Sequence, residues 1–235
     1  MRKAAAVILA LLILLAHSAS AEEIRLGKTN CLLQPAAEED TGKRYVLFAG
    51  SGDYFFTIRK YADITAKDGM LLIPQGDSQY VLNSRASDEV IRDIRPLLLE
   101  WAETGYEIIL AGYSSGGYPA VELARELAEE GYAGRLFILD GANRAYKSVD
   151  YNADFYREYL TAWDVTICAS AGDAFRIAVQ TRELGEALRD DGNVTYIQYN
   201  IGHNDMKALY GYVFSGLEMP DPEEMNDLYG RKAGK

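Results

Sequence analysis

Glu107-Ile108-Ile109-Leu110-Ala111-Gly112-Tyr113-Ser114-Ser115-Gly116-Gly117-Tyr118-Pro119-Ala120 is the stretch that decides the fold. It begins as an apolar run of strand length, passes through a glycine- and serine-rich turn, and continues as a helical pattern. A continuous apolar run, rather than an alternating one, marks a strand covered on both faces. The helix expected after it, Tyr118 to Glu130, repeats apolar residues at three-four spacing through Val121, Leu123, Ala124, Leu127 and Ala128. Gly131 is placed to stop it.

The turn reads G-x-S-x-G. A sharp strand-to-helix turn strains the backbone of its central serine and lifts the hydroxyl above the sheet. The residues two before and two after must be small, because strand and helix nearly touch there. Gly112 and Gly116 meet that demand for Ser114, whereas centring on Ser115 would force Tyr113 into a crowded slot. Ser114 is therefore the candidate nucleophile, and the amide of Ser115 points at a developing oxyanion. The plainer alternative is a turn that only starts a helix or cradles a phosphate. The flanking buried strand and amphipathic helix weigh for the nucleophile.

Similar elements recur outward from this unit. Strand-length apolar runs lie at Tyr45–Ala49, Met70–Ile73, Arg135–Leu139, Val165–Ala169 and Val194–Tyr199. Helical patterns cover Ser87 to Glu103 (with Pro96 inside), Ala174 to Arg189 and Met206 to Leu217. Repeated strand–helix–strand units imply right-handed crossovers and a mainly parallel sheet. The expected architecture is α/β, a three-layer sandwich with about six strands. No internal repeat or Pro/Ser-rich linker divides it.

Composition agrees. With 235 residues, 49% hydrophobic and 25% charged, the chain suits one α/β domain. The net charge of −11 repels phosphate backbones and anionic lipid surfaces, which argues against nucleic acid as a ligand. Two cysteines cannot build a disulfide scaffold or a four-thiolate zinc site. Cys31 and Cys168 fall in distant parts of the expected sheet, so two free thiols are expected, Cys168 buried. There is no P-loop and no complete G-x-G-x-x-G, so neither cofactor nor metal is expected.

The chain opens with Met1-Arg2-Lys3, an apolar run from Ala4 to Ala16, and a small-x-small end at Ala19-Ser20-Ala21. That is the pattern of a secretory signal cleaved after Ala21. The competing reading, an uncleaved anchor, needs about 20 apolar residues, more than this run supplies. The expected organisation is a signal peptide over 1–21, a catalytic domain over 22–219, and a polar, loosely attached tail over 220–235. Export to the periplasm or the medium follows, without stable membrane insertion.

Cleavage also removes His17 and leaves His203 as the single histidine. A serine hydroxyl needs a neighbouring base. His203 lies directly after the last strand, at the carboxyl end of the sheet, where sites in open α/β sheets gather. A carboxylate must orient it. Asp173, after the penultimate strand, is the favoured acid because it is one strand from the histidine; Asp140, ending the strand before that, is the alternative. Each could instead be structural, Asp173 as a helix N-cap.

Ser114, Asp173 and His203, in that order at the ends of successive strands, resemble the α/β-hydrolases, from Tyr45 to about Leu217. The resemblance implies that the loop after Tyr45–Ala49 supplies a second oxyanion donor, the amide of Ser51 or Gly52. The usual His-Gly start of that loop is replaced by Ala49-Gly50, and the usual first two strands look missing or reduced to Glu23–Leu26. A lid would enter between Gly141 and Asp164, where Tyr146, Tyr151, Phe155, Tyr156, Tyr159 and Trp163 read more readily as core than as an acyl-binding wall. So short a cover implies an open site.

The activity implied is that of a serine hydrolase acting on a small-molecule or lipid-like acyl ester; thioesterase, peptidase and acyltransferase use the same machinery. A hydrolase-like protein that binds a ligand or partner without turnover is the rival. The two are separated by whether His203 comes within hydrogen-bond distance of Ser114 Oγ. A flavodoxin-like ligand-binding domain is a weaker third.

Overall fold

The computed structural model describes residues 21–50, 57–75, 84–142, 145–146 and 149–229. In chain order the strands are β1 (Glu22–Leu26), β2 (Thr29–Gln34), β3 (Lys43–Phe48), β4 (Gly69–Pro74), β5 (Glu107–Tyr113), β6 (Gly134–Leu139), β7 (Ala145–Tyr146), β8 (Val149–Asp150), β9 (Asp164–Ser170) and β10 (Val194–Tyr199). The helices are α1 (Thr57–Lys60), α2 (Ser84–Glu103), α3 (Gly117–Glu129), α4 (Ala153–Tyr159), α5 (Arg176–Leu188), α6 (Tyr210–Ser215) and α7 (Pro222–Tyr229).

Eight strands form one sheet in the order β1-β2-β4-β3-β5-β6-β9-β10. From β4 to β10 every neighbouring pair is parallel, whereas β1–β2 and β2–β4 are antiparallel. The six runs expected from the sequence are the six parallel strands. The expectation of about six strands is corrected at one edge, where β1 and β2 add a hairpin.

Alternate residues of the central strands feed two cores. On one face Ile108 and Leu110 join Val46, Leu72, Leu136 and Ile138 beneath α2 and α3. On the other, Ile109 and Ala111 join Tyr45, Leu47, Phe137 and Leu139 against the segment that carries Met206, Tyr210 and Phe214. Each such Val, Leu, Ile, Phe or Met side chain taken fully out of water stabilises the fold by roughly 1.5–3 kcal/mol. These two layers make the sheet rigid enough for the loops at its carboxyl rim to hold a fixed geometry.

The aromatic segment between β6 and β9 serves the core. Tyr151, Phe155, Tyr156 and Trp163 are buried in the first cluster and Tyr159 packs against it; the side chain of Tyr146 lies outside the described residues. Cys31 and Cys168 are both free and buried. The loose tail expected over 220–235 is corrected over its described part, where α7 packs against β10; residues 230–235 lie outside the described residues. Met225 is buried, the Asn226 side chain accepts a bond from the amide of Asn200, and Tyr199 donates its hydroxyl to the carbonyl of Pro220. Pro222 at the start of α7 and Glu223 and Glu224 in its first turn were the sequence signals of that helix. Among the described residues no helix is long and apolar enough to cross a membrane; residues 1–20 of the expected signal lie outside them.

Candidate active site

Strand β5 delivers Ser114 into a tight 3-10 turn, Ser114–Gly116, from which α3 starts. Ser114 has φ 53°, a left-handed backbone that a serine adopts only where its surroundings impose it. The imposition is visible in the glycines on either side. A Cβ on Gly112 would collide with the carbonyl of Gly116, and one on Gly116 with the carbonyl of Phe48. The small residues expected there are therefore required by backbone contact between β5, β3 and the start of α3.

His203 opens a 3-10 segment, His203–Leu209, after β10. Its Nε2 lies 3.1 Å from Oγ of Ser114, and its Nδ1 lies 3.0 Å from Oδ2 of Asp140. All three side chains are secluded, with exposures of 7% for Ser114, 9% for His203 and 0% for Asp140. Asp140 follows β6 with φ 48°. Its carboxylate accepts the amide of Ser170 at 2.9 Å and the hydroxyl of Ser170 at 2.5 Å. With its oxygens held as acceptors, the ring nitrogen facing it is the donor, which leaves Nε2 free to accept the Ser114 proton.

Asp173 is elsewhere. Its Oδ1 accepts the amide of Phe175 and its Oδ2 the amide of His203, each at 2.9 Å. The expected pairing of Asp173 with the imidazole is thus corrected in favour of Asp140. The histidine segment leads back across the ends of β9 and β6, and this return brings the ring over the strand two places away in the sheet. Counting strands from β10 did not anticipate it.

The fold recurs in solved structures. A serine-to-alanine mutant of LAE6, an alpha/beta hydrolase enzyme from the metagenome of Lake Arreo, Spain, superposes with a TM-score of 0.57 at 11% identity, covering 86% of this chain and 82% of that one. A "predicted CIB-like hydrolase" from Thermoplasma acidophilum gives 0.54 at 13% identity, covering 90% and 95%. The thioesterase domain from the curacin biosynthetic pathway gives 0.52 at 10% identity, covering 85% and 100%. The chain has the α/β-hydrolase fold. No protein-family model matches the sequence, and no curated protein matches it either.

Within this α/β-hydrolase fold, the loop expected to complete an oxyanion site starts at Gly50. A Cβ there would come 2.8 Å from the Tyr113 ring and 3.0 Å from Cβ of Ser114, so the loop sets out directly against the serine. Ser51 and Gly52 lie outside the described residues. Ser115 follows the serine within the turn that leads into α3.

Four further residues belong to the site and escaped the sequence. Ser170, at the end of β9, holds the Asp140 carboxylate. Tyr210 extends its buried hydroxyl between β3 and β5, donating to the carbonyl of Phe48 at 2.6 Å and accepting the amide of Tyr113 at 3.1 Å. It supplies a hydrogen-bonded link across the ends of two strands that part company there. Phe175 and Tyr113 place their rings 4.9 and 5.1 Å from the imidazole centroid. None of these has a local signal: a serine ending a strand and an aromatic in a helix acquire such roles only through long-range packing. A cleft of about 270 Å³ between α4 and α5, lined by Tyr151, Asn152, Gln180, Glu183 and Leu184 among others, is separate from the Ser114–His203–Asp140 group.

Proposed function

We propose that this protein is an exported serine hydrolase that cleaves a carboxylic ester-like bond through an acyl-enzyme intermediate, with Ser114, His203 and Asp140 as its triad. The observation that carries the reading is the unbroken chain from Oγ of Ser114 through both ring nitrogens of His203 to Asp140, at 3.1 and 3.0 Å. It supports turnover over binding alone, since a protein that only binds needs no such alignment.

Nε2 takes the Ser114 proton as Oγ forms a bond to the ester carbonyl carbon, giving a tetrahedral oxyanion. The amide of Ser115 and an amide of Ser51 or Gly52 donate to that oxyanion; such donors are each worth about 2.7–4 kcal/mol in the transition state. The carbon–oxygen bond to the leaving group then breaks, and the leaving oxygen departs with the proton held on Nε2. Water repeats the sequence: it gives a proton to Nε2, attacks the acyl carbon and releases the acid as Oγ recovers its proton. Asp140 keeps the ring in the required tautomer and stabilises the imidazolium. The solved structures supporting the reading include an alpha/beta hydrolase enzyme and a thioesterase domain, so the ester and the thioester are the two acyl donors to try first. The basic, apolar and small-residue order of residues 1–21 supports export.

The test is labelling by a fluorophosphonate. Wild-type protein is expected to be modified at Ser114 and Ser114→Ala to remain unlabelled. Equal labelling of both, or none of the wild type, would end the proposal. Mass spectrometry of the exported protein is expected to find Glu22 at its N-terminus.

A further inference from the structure

One of the large apolar residues exposed among the described residues stands at the site itself. Phe175 is 57% exposed, yet its ring lies 4.9 Å from the imidazole of His203 at an interplanar angle of 39°. Tyr113, the other ring against the same imidazole, is buried. Tyr113 is therefore the inner contact of the histidine and Phe175 the outer one, presenting apolar surface to whatever occupies the site.

Its position is built. Phe175 sits at the N-cap of α5 with an extended backbone (φ −61°, ψ 133°). Its amide donates to Oδ1 of Asp173, while Oδ2 of the same carboxylate accepts the amide of His203. One carboxylate thus ties the aromatic and the histidine together through their main chains. Leaving a phenylalanine in water forgoes the gain of burying it, and here the exposed ring is fixed beside the proton-transferring group.

Chemistry decides what meets it. The imidazole must hand its proton to the leaving oxygen, so the leaving group lies along the imidazole, while the carbonyl oxygen faces the oxyanion donors and the acyl chain takes the remaining direction from the carbonyl carbon. We infer that Phe175 is a specificity-determining residue for the leaving group, selecting esters of aromatic or branched apolar alcohols over those of small alcohols. The inference rests on the proposed serine hydrolase mechanism and adds the class of alcohol that the site prefers. An offset or edge-on aromatic contact, together with area removed from water, gives the selectivity its physical source.

The experiment compares acetate esters that share an acyl group and differ in the alcohol: methyl, butyl and benzyl acetate, followed by proton release. A second series, methyl acetate to methyl octanoate, varies only the acyl chain. In wild type, kcat/KM is expected to rise from methyl to benzyl acetate. Phe175→Ala is expected to lower the benzyl-to-methyl ratio about tenfold, Phe175→Leu to lower it by less, and neither to reorder the acyl series. A ratio unchanged in Phe175→Ala, or an acyl series reordered instead, overturns the assignment while fluorophosphonate labelling of Ser114 in the same samples leaves the mechanism standing. Absence of labelling in the wild type overturns both.

Discussion

Asp140 and Asp173 end adjacent strands of one sheet, stand within reach of one histidine, and do different work. Asp140 is inaccessible to water and faces a ring nitrogen, with Ser170 holding its oxygens. Asp173 is only partly buried, and both of its oxygens are taken up by main-chain amides, those of Phe175 and His203. The first carboxylate acts on the chemistry of the imidazole, the second on where the imidazole's backbone lies. The contrast teaches that proximity to a histidine does not identify its partner acid. What decides is which atoms of the carboxylate remain free once the backbone has been satisfied.

The sharpest way to break the contrast is to neutralise each acid in turn. Asp140→Asn is expected to lower kcat on an activated acetate ester by about 10³–10⁴-fold with KM little altered, since it removes the group that fixes the tautomer. An equal loss in Asp173→Asn would erase the distinction. Asp173→Ala is expected to lower kcat only about tenfold, as His203 and Phe175 lose a shared tether, and to lower Tm as well. Ser170→Ala is expected to cost a few-fold in kcat, because the amide of Ser170 still holds one Asp140 oxygen.

The smallest effect concerns the seal around Asp140. Burial, with the charge of Asp140 adding to it, pushes the Cys168 thiol well above the ordinary thiol range. Burial likewise pushes Cys31 up, to about 12, with the charge of Asp93 adding to it. Both folded-state values are raised, so neither thiol ionises near pH 8, where unfolded thiols begin to do so. Iodoacetamide at pH 8 is expected to leave native protein unmodified and to alkylate two thiols in denaturant. Rapid native modification of Cys168 would mean that the pocket around Asp140 is open.

Much of this was legible in the residues. The six parallel strands were readable because most are short, continuous apolar runs, and Ser114 because close backbone approach leaves only glycine acceptable at positions 112 and 116. His203 followed from scarcity. The acid was not legible, because choosing Asp140 requires knowing that its backbone turns left-handed after β6 and that the histidine segment doubles back over β9. Both are tertiary facts. The β1–β2 hairpin is marked only by Gly27-Lys28 between two short runs, and α7 carries its own start signals but was masked by its polarity.

The hydroxyl of Tyr210 has a consequence for how the molecule is assembled. It joins positions separated by 97 and 162 residues along the chain. Contacts that distant close very long loops before they repay any entropy, and they raise the contact order that slows folding. The sheet can be largely in place while the ends of β3 and β5 still lack their crosspiece.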